Sequence, residues 1–278
     1  MKSIIVFGAC SAIAQATERL WTQEKAQFVL VDRDEKKLAI VADDLKARGA
    51  HSVWIIAADL TELSSHASLW QKVVRYIGHI DTVLFSYGTL GDQKAGEQDF
   101  SLAYQEFMTN FISVASLLTE IVNHVLNIHY RTASMSRQGG TSLSRASRHA
   151  PPQGGAVAAA RLPITLAVIS SVAGDRGRQS NYIYGAAKGG LTVFLQGLRN
   201  RLAPKGIHVL TIKPGFVDTP MTKDFKKGFL WVKPEAVARS IVKAVNKKRD
   251  VVYAPWFWRY IMLIIRLIPE RIFKKMTL

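Results

Sequence analysis

Short apolar runs alternate with longer amphipathic stretches along most of the chain. The apolar runs are residues 2–7, 28–31, 53–56, 82–85, 166–170, 207–212 and 251–253. Between them, residues 15–24, 34–48, 65–78, 99–126 and 234–247 carry helical spacing, as does the stretch through Tyr184 to Leu202. Strands of about five residues separated by helices predict one α/β domain, and 278 residues suffice to bury its core.

Two segments break this rhythm. Residues 127–163 are rich in Arg, Ser, Gly, Ala and Pro, with no acidic residue and no period, and read as a disordered surface insertion into a domain spanning 1–254. Residues 255–278 form a basic, apolar and aromatic tail. Its run from Pro255 to Ile268 is too short to span a bilayer but suits a helix lying at a membrane interface. A helix in the core or at a dimer interface is the other reading of that run.

Charge sharpens the picture. The net charge is +16, yet residues 1–126 hold 11 basic and 15 acidic side chains, while residues 223–278 hold 14 and 4. The excess at the C-terminal end favours an anionic surface or substrate there. Nucleic acid is not an expected partner: the basic insertion lacks interleaved aromatics beyond Tyr130. The single Cys10 excludes an internal disulfide framework and fits a reducing compartment. The opening Met-Lys-Ser-Ile-Ile-Val-Phe-Gly reads as a first strand rather than a signal peptide. The expected location is therefore cytoplasmic, at the inner face of the membrane. No metal site is expected.

Candidate chemistry sits in two places. The first is the turn Gly8-Ala-Cys-Ser11-Ala-Ile13-Ala14 between a strand and a helix, which aims backbone N–H groups at a phosphate. Asp32 follows 24 residues after Gly8; a carboxylate there accepts from ribose hydroxyls and repels a 2′-phosphate, favouring NAD(H) over NADP(H). Arg33 pulls the other way, and the acid is given the greater weight. The second is Ser171, followed thirteen residues later by Tyr184 in Tyr184-Gly-Ala-Ala-Lys188. Tyr and Lys four apart share one helix face. A neighbouring ammonium is expected to lower the phenol's pKa, and a nearby hydroxyl can bond the same substrate oxygen. These are parts for moving a proton to or from a carbonyl or alcohol.

The Gly8 turn together with Ser171, Tyr184 and Lys188 resembles the short-chain dehydrogenase/reductase family, from Lys2 to about Tyr253. The resemblance implies a Rossmann-type doubly wound parallel sheet with helices on both faces, an NAD(P)(H) cofactor and a homo-oligomer. It implies a catalytic set of Asn110, Ser171, Tyr184 and Lys188, with Asn110 holding a relay water. It places Asp59 and Leu60 at the adenine, Gly88 beside the cofactor, and Pro214, Gly215, Val217 and Thr219 at its nicotinamide end. Ala12 and Ala14 depart from the family's usual glycines, and Ser86 and Tyr87 from its usual Asn-Ala. Local runs at 87–92, 170–185 and 254–275 are similar to the subgroup that reduces decaprenylphosphoryl 2-keto-erythro-pentofuranose. That similarity implies a keto-sugar, or another keto group, on a lipid-linked substrate. A soluble small carbonyl compound, or a dinucleotide-binding protein without catalysis, are the alternatives.

Overall fold

The computed structural model describes residues 1–138 and 164–276. Seven strands form one parallel sheet: β1 (Ser3–Phe7), β2 (Gln27–Asp32), β3 (Ser52–Ala57), β4 (Thr82–Phe85), β5 (Thr165–Ile169), β6 (His208–Pro214) and β7 (Val251–Ala254). Their spatial order is β3-β2-β1-β4-β5-β6-β7. The chain thus winds outward from β1 in one direction and then, from β4, in the other. The crevice at the C-terminal ends of β1 and β4 is where such a sheet holds ligands.

Ten helices surround the sheet among the described residues: α1 (Ala12–Thr22), α2 (Glu35–Ala47), α3 (His66–Val74), α4 (Gln93–Gln98), α5 (Phe100–Phe107), α6 (Ser113–Gln138), α7 (Tyr182–Leu202), α8 (Pro234–Asn246), α9 (Trp258–Leu267) and α10 (Glu270–Phe273). Alternate strand residues serve opposite faces. Ile5, Phe7, Val29, Val31, Val83 and Phe85 pack with α3, α6 and α7. Ile4, Val6, Phe28, Leu30 and Leu84 pack with α1, α2 and α8. Burial on both faces explains why the strands read as unbroken apolar runs.

Two expectations need correction. The helix expected to end at 126 continues to Gln138, so the first part of the stretch read as disordered is helical. The rest of that stretch, 139–163, lies outside the described residues. The helix of 99–126 is also not uniform: a π-helical turn, Met108–Ile112, separates α5 from α6 and carries Asn110. Such turns widen a helix by one residue and are common at functional sites.

Among the described residues the core encloses an acid without a partner. Glu18 in α1 is fully buried, and neither carboxylate oxygen has a hydrogen-bond partner. Burial raises its pKa well above the usual carboxylate value. A raised folded-state pKa means stability present below about pH 4.5, the unfolded value, and lost as pH rises through the folded one. Replacing an unsatisfied buried acid with an apolar side chain of similar length should recover roughly 1–3 kcal/mol at neutral pH. Glu18→Met is therefore expected to raise the melting temperature at pH 8 and to gain less at pH 4.5. A lower melting temperature at pH 8, or an equal gain at both, would contradict this.

Candidate active site

The first turn is built on close approach. Gly8 has φ +79°, and a Cβ there would lie 2.6 Å from Tyr87 Cβ, so only glycine lets the β1 and β4 exits meet. Ser11 caps α1, its Oγ accepting from Ala14 N at 3.2 Å and lying 2.7 Å from Ser86 Oγ. Tyr87 OH lies 3.0 Å from Ser113 Oγ on α6. The unusual Ser86-Tyr87 pair thus stitches the β4 exit to α1 and α6. Ala14 is fully buried, its methyl filling the helix–strand contact that glycine would leave open. Ile13 packs against the core cluster beneath this turn.

Asp32 ends β2. Its Oδ2 accepts from Cys10 N at 3.0 Å and its Oδ1 from Arg33 N at 2.8 Å, which fixes the carboxylate at the cleft. Arg33 and Lys37 line the same end. Asp59 accepts from Thr61 N and Oγ1; these bonds, with the more distant Arg33 charge, hold its carboxyl below the usual range. Leu60 beside it is buried. The cleft running from here to Tyr184 has a volume of about 1070 Å³. Positive φ at Gly8, the α1 N-terminus and Asp32 together fit the diphosphate and adenosine ribose of a dinucleotide.

At the other end, β5 delivers two serines with different duties. Ser170 Oγ donates to Lys188 O at 3.0 Å and lies 2.8 Å from Thr192 Oγ1, so it ties the strand to α7. Ser171 Oγ accepts from Ala173 N at 3.1 Å, and its hydroxyl is near enough to the Tyr184 phenol to favour the ionised form. Gly174 follows, pressed so closely on α7 that a Cβ would lie 2.6 Å from the Lys188 carbonyl carbon. Lys188 is 3% exposed; its Nζ donates to Ile169 O at 3.3 Å and stands 5.8 Å from the Tyr184 ring centre.

The titration of this pair differs from the sequence expectation. Burial pushes the Tyr184 phenol up to about 12; the Ser171 hydroxyl opposes this, and the Glu106 charge adds to it. Lys188 is pushed down to about 8 by burial, with Glu106 opposing. Desolvation dominates, so in this state the phenol is neutral and holds its proton.

Asn110 is fully buried. It donates from Nδ2 to Thr89 O (3.1 Å) and Glu106 Oε2 (2.9 Å), and accepts at Oδ1 from Thr89 N (3.2 Å). A Cβ on Gly88 would lie 2.5 Å from Asn110 Oδ1 and 3.3 Å from Lys188 Nζ, so Gly88 is the gap between the two. Glu106 is absent from the sequence-derived set. Its signal was a single carboxylate four residues before Asn110 on a mostly apolar helix.

The Pro214–Thr219 segment sits less directly at the cleft. Pro214 ends β6, and a Cβ on Gly215 would lie 1.9 Å from Trp258 Nε1, so α9 lies directly on this segment. Val217 is buried and bridges to Val232. Thr219 caps the turn Pro220–Thr222, whose Pro220 and Met221 line the cleft. The tail is thus half core. Trp258 and Met262 are buried with Val172, while Trp256, Tyr260, Ile264 and Leu267 are exposed. Arg176 clamps it, donating to Ile265 O and Ile268 O (2.6 Å each) and pairing with Glu270 at 2.9 Å.

Comparison with known proteins gives similar sequences and similar folds. The chain is 32% identical over 273 residues to an uncharacterised oxidoreductase of Mycobacterium tuberculosis, covering 98% of this chain and 96% of that one. An uncharacterised oxidoreductase of Streptomyces coelicolor is 29% identical over 279 residues, covering 99% and 96%. Among solved structures, actinorhodin polyketide ketoreductase with NADPH superposes with a TM-score of 0.70 at 19% identity, covering 92% of this chain and 97% of that one. A short-chain dehydrogenase from Sphingobium yanoikuyae in complex with NADPH gives 0.70 at 19%, covering 95% and 92%. The profile described as short chain dehydrogenase matches residues 2–137 and 165–228, so the chain belongs to the short-chain dehydrogenase family.

Proposed function

We propose that this short-chain dehydrogenase is a carbonyl reductase that prefers NADH to NADPH and acts on a keto-sugar carried by a lipid. The observation that carries the reaction type is the neutral, half-buried Tyr184 phenol beside Ser171 and one helical turn from Lys188, whose Nζ stands 5.8 Å from its ring centre. Gly8, Ser11, Asp32, Arg33, Asp59 and Gly88 would hold the dinucleotide, which when bound supplies hydride to the carbonyl carbon. Ser171 hydrogen-bonds the carbonyl oxygen. Tyr184 donates its phenolic proton to that oxygen as it becomes an alkoxide, completing the alcohol. Lys188 holds the nicotinamide ribose and, with Asn110, leads a replacement proton to Tyr184. Pro214, Gly215, Val217 and Thr219 would support the nicotinamide end from behind Pro220 and Met221, which line the cleft.

The NADH preference rests on Asp32, whose fixed carboxylate would repel a 2′-phosphate. Asp32→Ala should raise kcat/KM with NADPH relative to NADH by roughly tenfold, the size of one ~1.4 kcal/mol contact. A wild type already favouring NADPH would mean that Arg33 and Lys37 decide the site.

The lipid-linked substrate rests on the local sequence similarity and on the tail. Exposed Trp256, Tyr260, Ile264 and Leu267 stand beside exposed Arg259 and Arg266, a composition suited to an anionic membrane surface. No helix among the described residues is long and apolar enough to cross a membrane, so contact would be peripheral. Removing the tail would also strip Trp258 from Gly215, so substitutions on its outer face are the cleaner test. Wild type should pellet with anionic vesicles at low salt, and Trp256→Ser/Ile264→Ser/Leu267→Ser should stay in the supernatant with its fold intact. Equal behaviour of the two would leave a soluble carbonyl compound as the better substrate. Exposed Tyr104 on α5 and Val193 on α7 suit the family's usual homo-oligomer.

A further inference from the structure

Glu106 has no duty in the mechanism above, yet it is 8% exposed, lines the cleft, and touches Asn110. A carboxylate can only accept hydrogen bonds, so the Asn110 atom facing it must be the amide nitrogen. That turns Asn110 Oδ1 the other way, toward Gly88 and the side of Lys188 Nζ. Glu106 is itself held in place. A Cβ on Gly91 would lie 2.9 Å from its Cγ and 3.0 Å from its Oε1, so the β4 exit loop closes over the carboxylate. The chain spends a buried charge here, which is costly unless the charge is matched. Asn110 Nδ2 meets it at 2.9 Å, and Lys188, an ammonium 3% exposed, lies beyond Asn110 beside Gly88.

We propose that Glu106 is a positioning residue of this active site: together with Thr89 it braces the Asn110 amide between the β4 exit and Lys188 Nζ, and its carboxylate places negative charge beside the proton path to Tyr184. The proposal rests on the carbonyl-reductase reading. The titratable groups around Glu106 are Tyr184 and Lys188 from α7 and Asp92 at the start of α4; exposed Tyr104 shares its own helix. Asp92 is exposed and engaged in capping α4 through Lys94 N and Ala95 N. Glu106 raises the affinity of both α7 groups for their protons. Its loss should therefore move the alkaline limb of kcat to lower pH, because Lys188 gives up its proton sooner.

The test compares wild type with Glu106→Gln and Glu106→Asp. Gln keeps the shape and removes the charge, while Thr89 still holds the Asn110 amide. We expect kcat to fall roughly 10- to 100-fold, as for a misplaced catalytic group. The KM for the dinucleotide should stay near wild type, and the alkaline limb should move to lower pH. Asp, which keeps the charge, should hold the limb and restore part of kcat. The second readout needs no turnover: competitive acetylation of Lys188 with acetic anhydride across pH, read by mass spectrometry. Its midpoint should lie near about 8 in wild type and lower in Glu106→Gln. A fall in kcat with an unmoved limb, or an unmoved Lys188 midpoint, would reduce Glu106 to a structural partner of Asn110 and overturn the proposal. Should Glu106→Gln fail to fold, Glu106→Asp with a displaced limb or midpoint has the same force. If no carbonyl compound is turned over, the reductase reading fails while the acetylation midpoint still decides for or against Glu106.

Discussion

Tyr184→Phe is expected to cut turnover roughly 10²- to 10⁴-fold, the usual worth of a positioned acid, while dinucleotide binding survives. The Tyr184 hydroxyl stands beside Ser171, and its proton is present throughout the working range because burial pushes the phenol up to about 12. A phenol so held suits donation to a forming alkoxide. The ring of Phe keeps the packing of Tyr184 against the cleft, so a loss confined to kcat isolates the proton. The pH dependence follows from Lys188 rather than from Tyr184. A lysine lowered to about 8 is charged below that pH and neutral above it, so activity should fade on the alkaline side as its proton leaves. Steady-state rates of the two proteins across pH, with fluorescence titration of the dinucleotide, check both statements.

Gly174→Ala should be nearly as damaging, by a different route. A methyl at Gly174 would stand 2.6 Å from the Lys188 carbonyl carbon, 2.7 Å from Gly189 N and 2.8 Å from Lys188 O. All three are backbone atoms in the middle of α7, so no side chain can swing aside. Either the turn Val172–Asp175 lifts away, carrying Ser171 from Tyr184, or α7 shifts and carries Lys188. Overpacking of this kind costs about 1–3 kcal/mol of stability. A displacement near 1 Å at the reacting groups costs roughly 10²-fold in rate. Gly177→Ala, in the same segment but with open space around its Cα, is the control and should behave as wild type. Equal melting temperatures and rates for the two variants would show that the turn does not set the Ser171–Tyr184 geometry.

Much of this was legible in the chain because its signals are local. Apolar runs between amphipathic stretches gave every strand within two residues, since the central strands are buried on both faces and carry mostly apolar side chains. The Ser171, Tyr184 and Lys188 set was readable from spacing because one strand end and one helix turn carry all three. What escaped detection depends on contacts distant in sequence. Trp258 lies against Gly215 and makes the tail half core, and no period in the tail announces which face is covered. Glu106 looked like an ordinary helix carboxylate until Gly91 and Asn110 were seen to enclose it. The direction of the Tyr184 shift was also missed: spacing reports that an ammonium is near, but only the fold reports how deeply both groups are desolvated. The fate of 127–138 went wrong for compositional reasons, because Arg, Ser and Ala at low hydrophobicity are compatible with helix as well as with coil.

The central claim is that this cleft moves hydride and proton together onto a carbonyl. Its most direct test is isotope transfer: NADH or NADPH deuterated at the reactive position of the nicotinamide, mixed with enzyme and a polyprenylphosphoryl keto-pentose, beside a panel of soluble ketones. The account predicts one deuterium on the new carbinol carbon of the product by mass spectrometry, more efficiently with NADH, and little or none with Tyr184→Phe. Deuterium transfer that persists at wild-type rate in Tyr184→Phe, or no transfer to any carbonyl by a folded wild type that binds the dinucleotide, would contradict it.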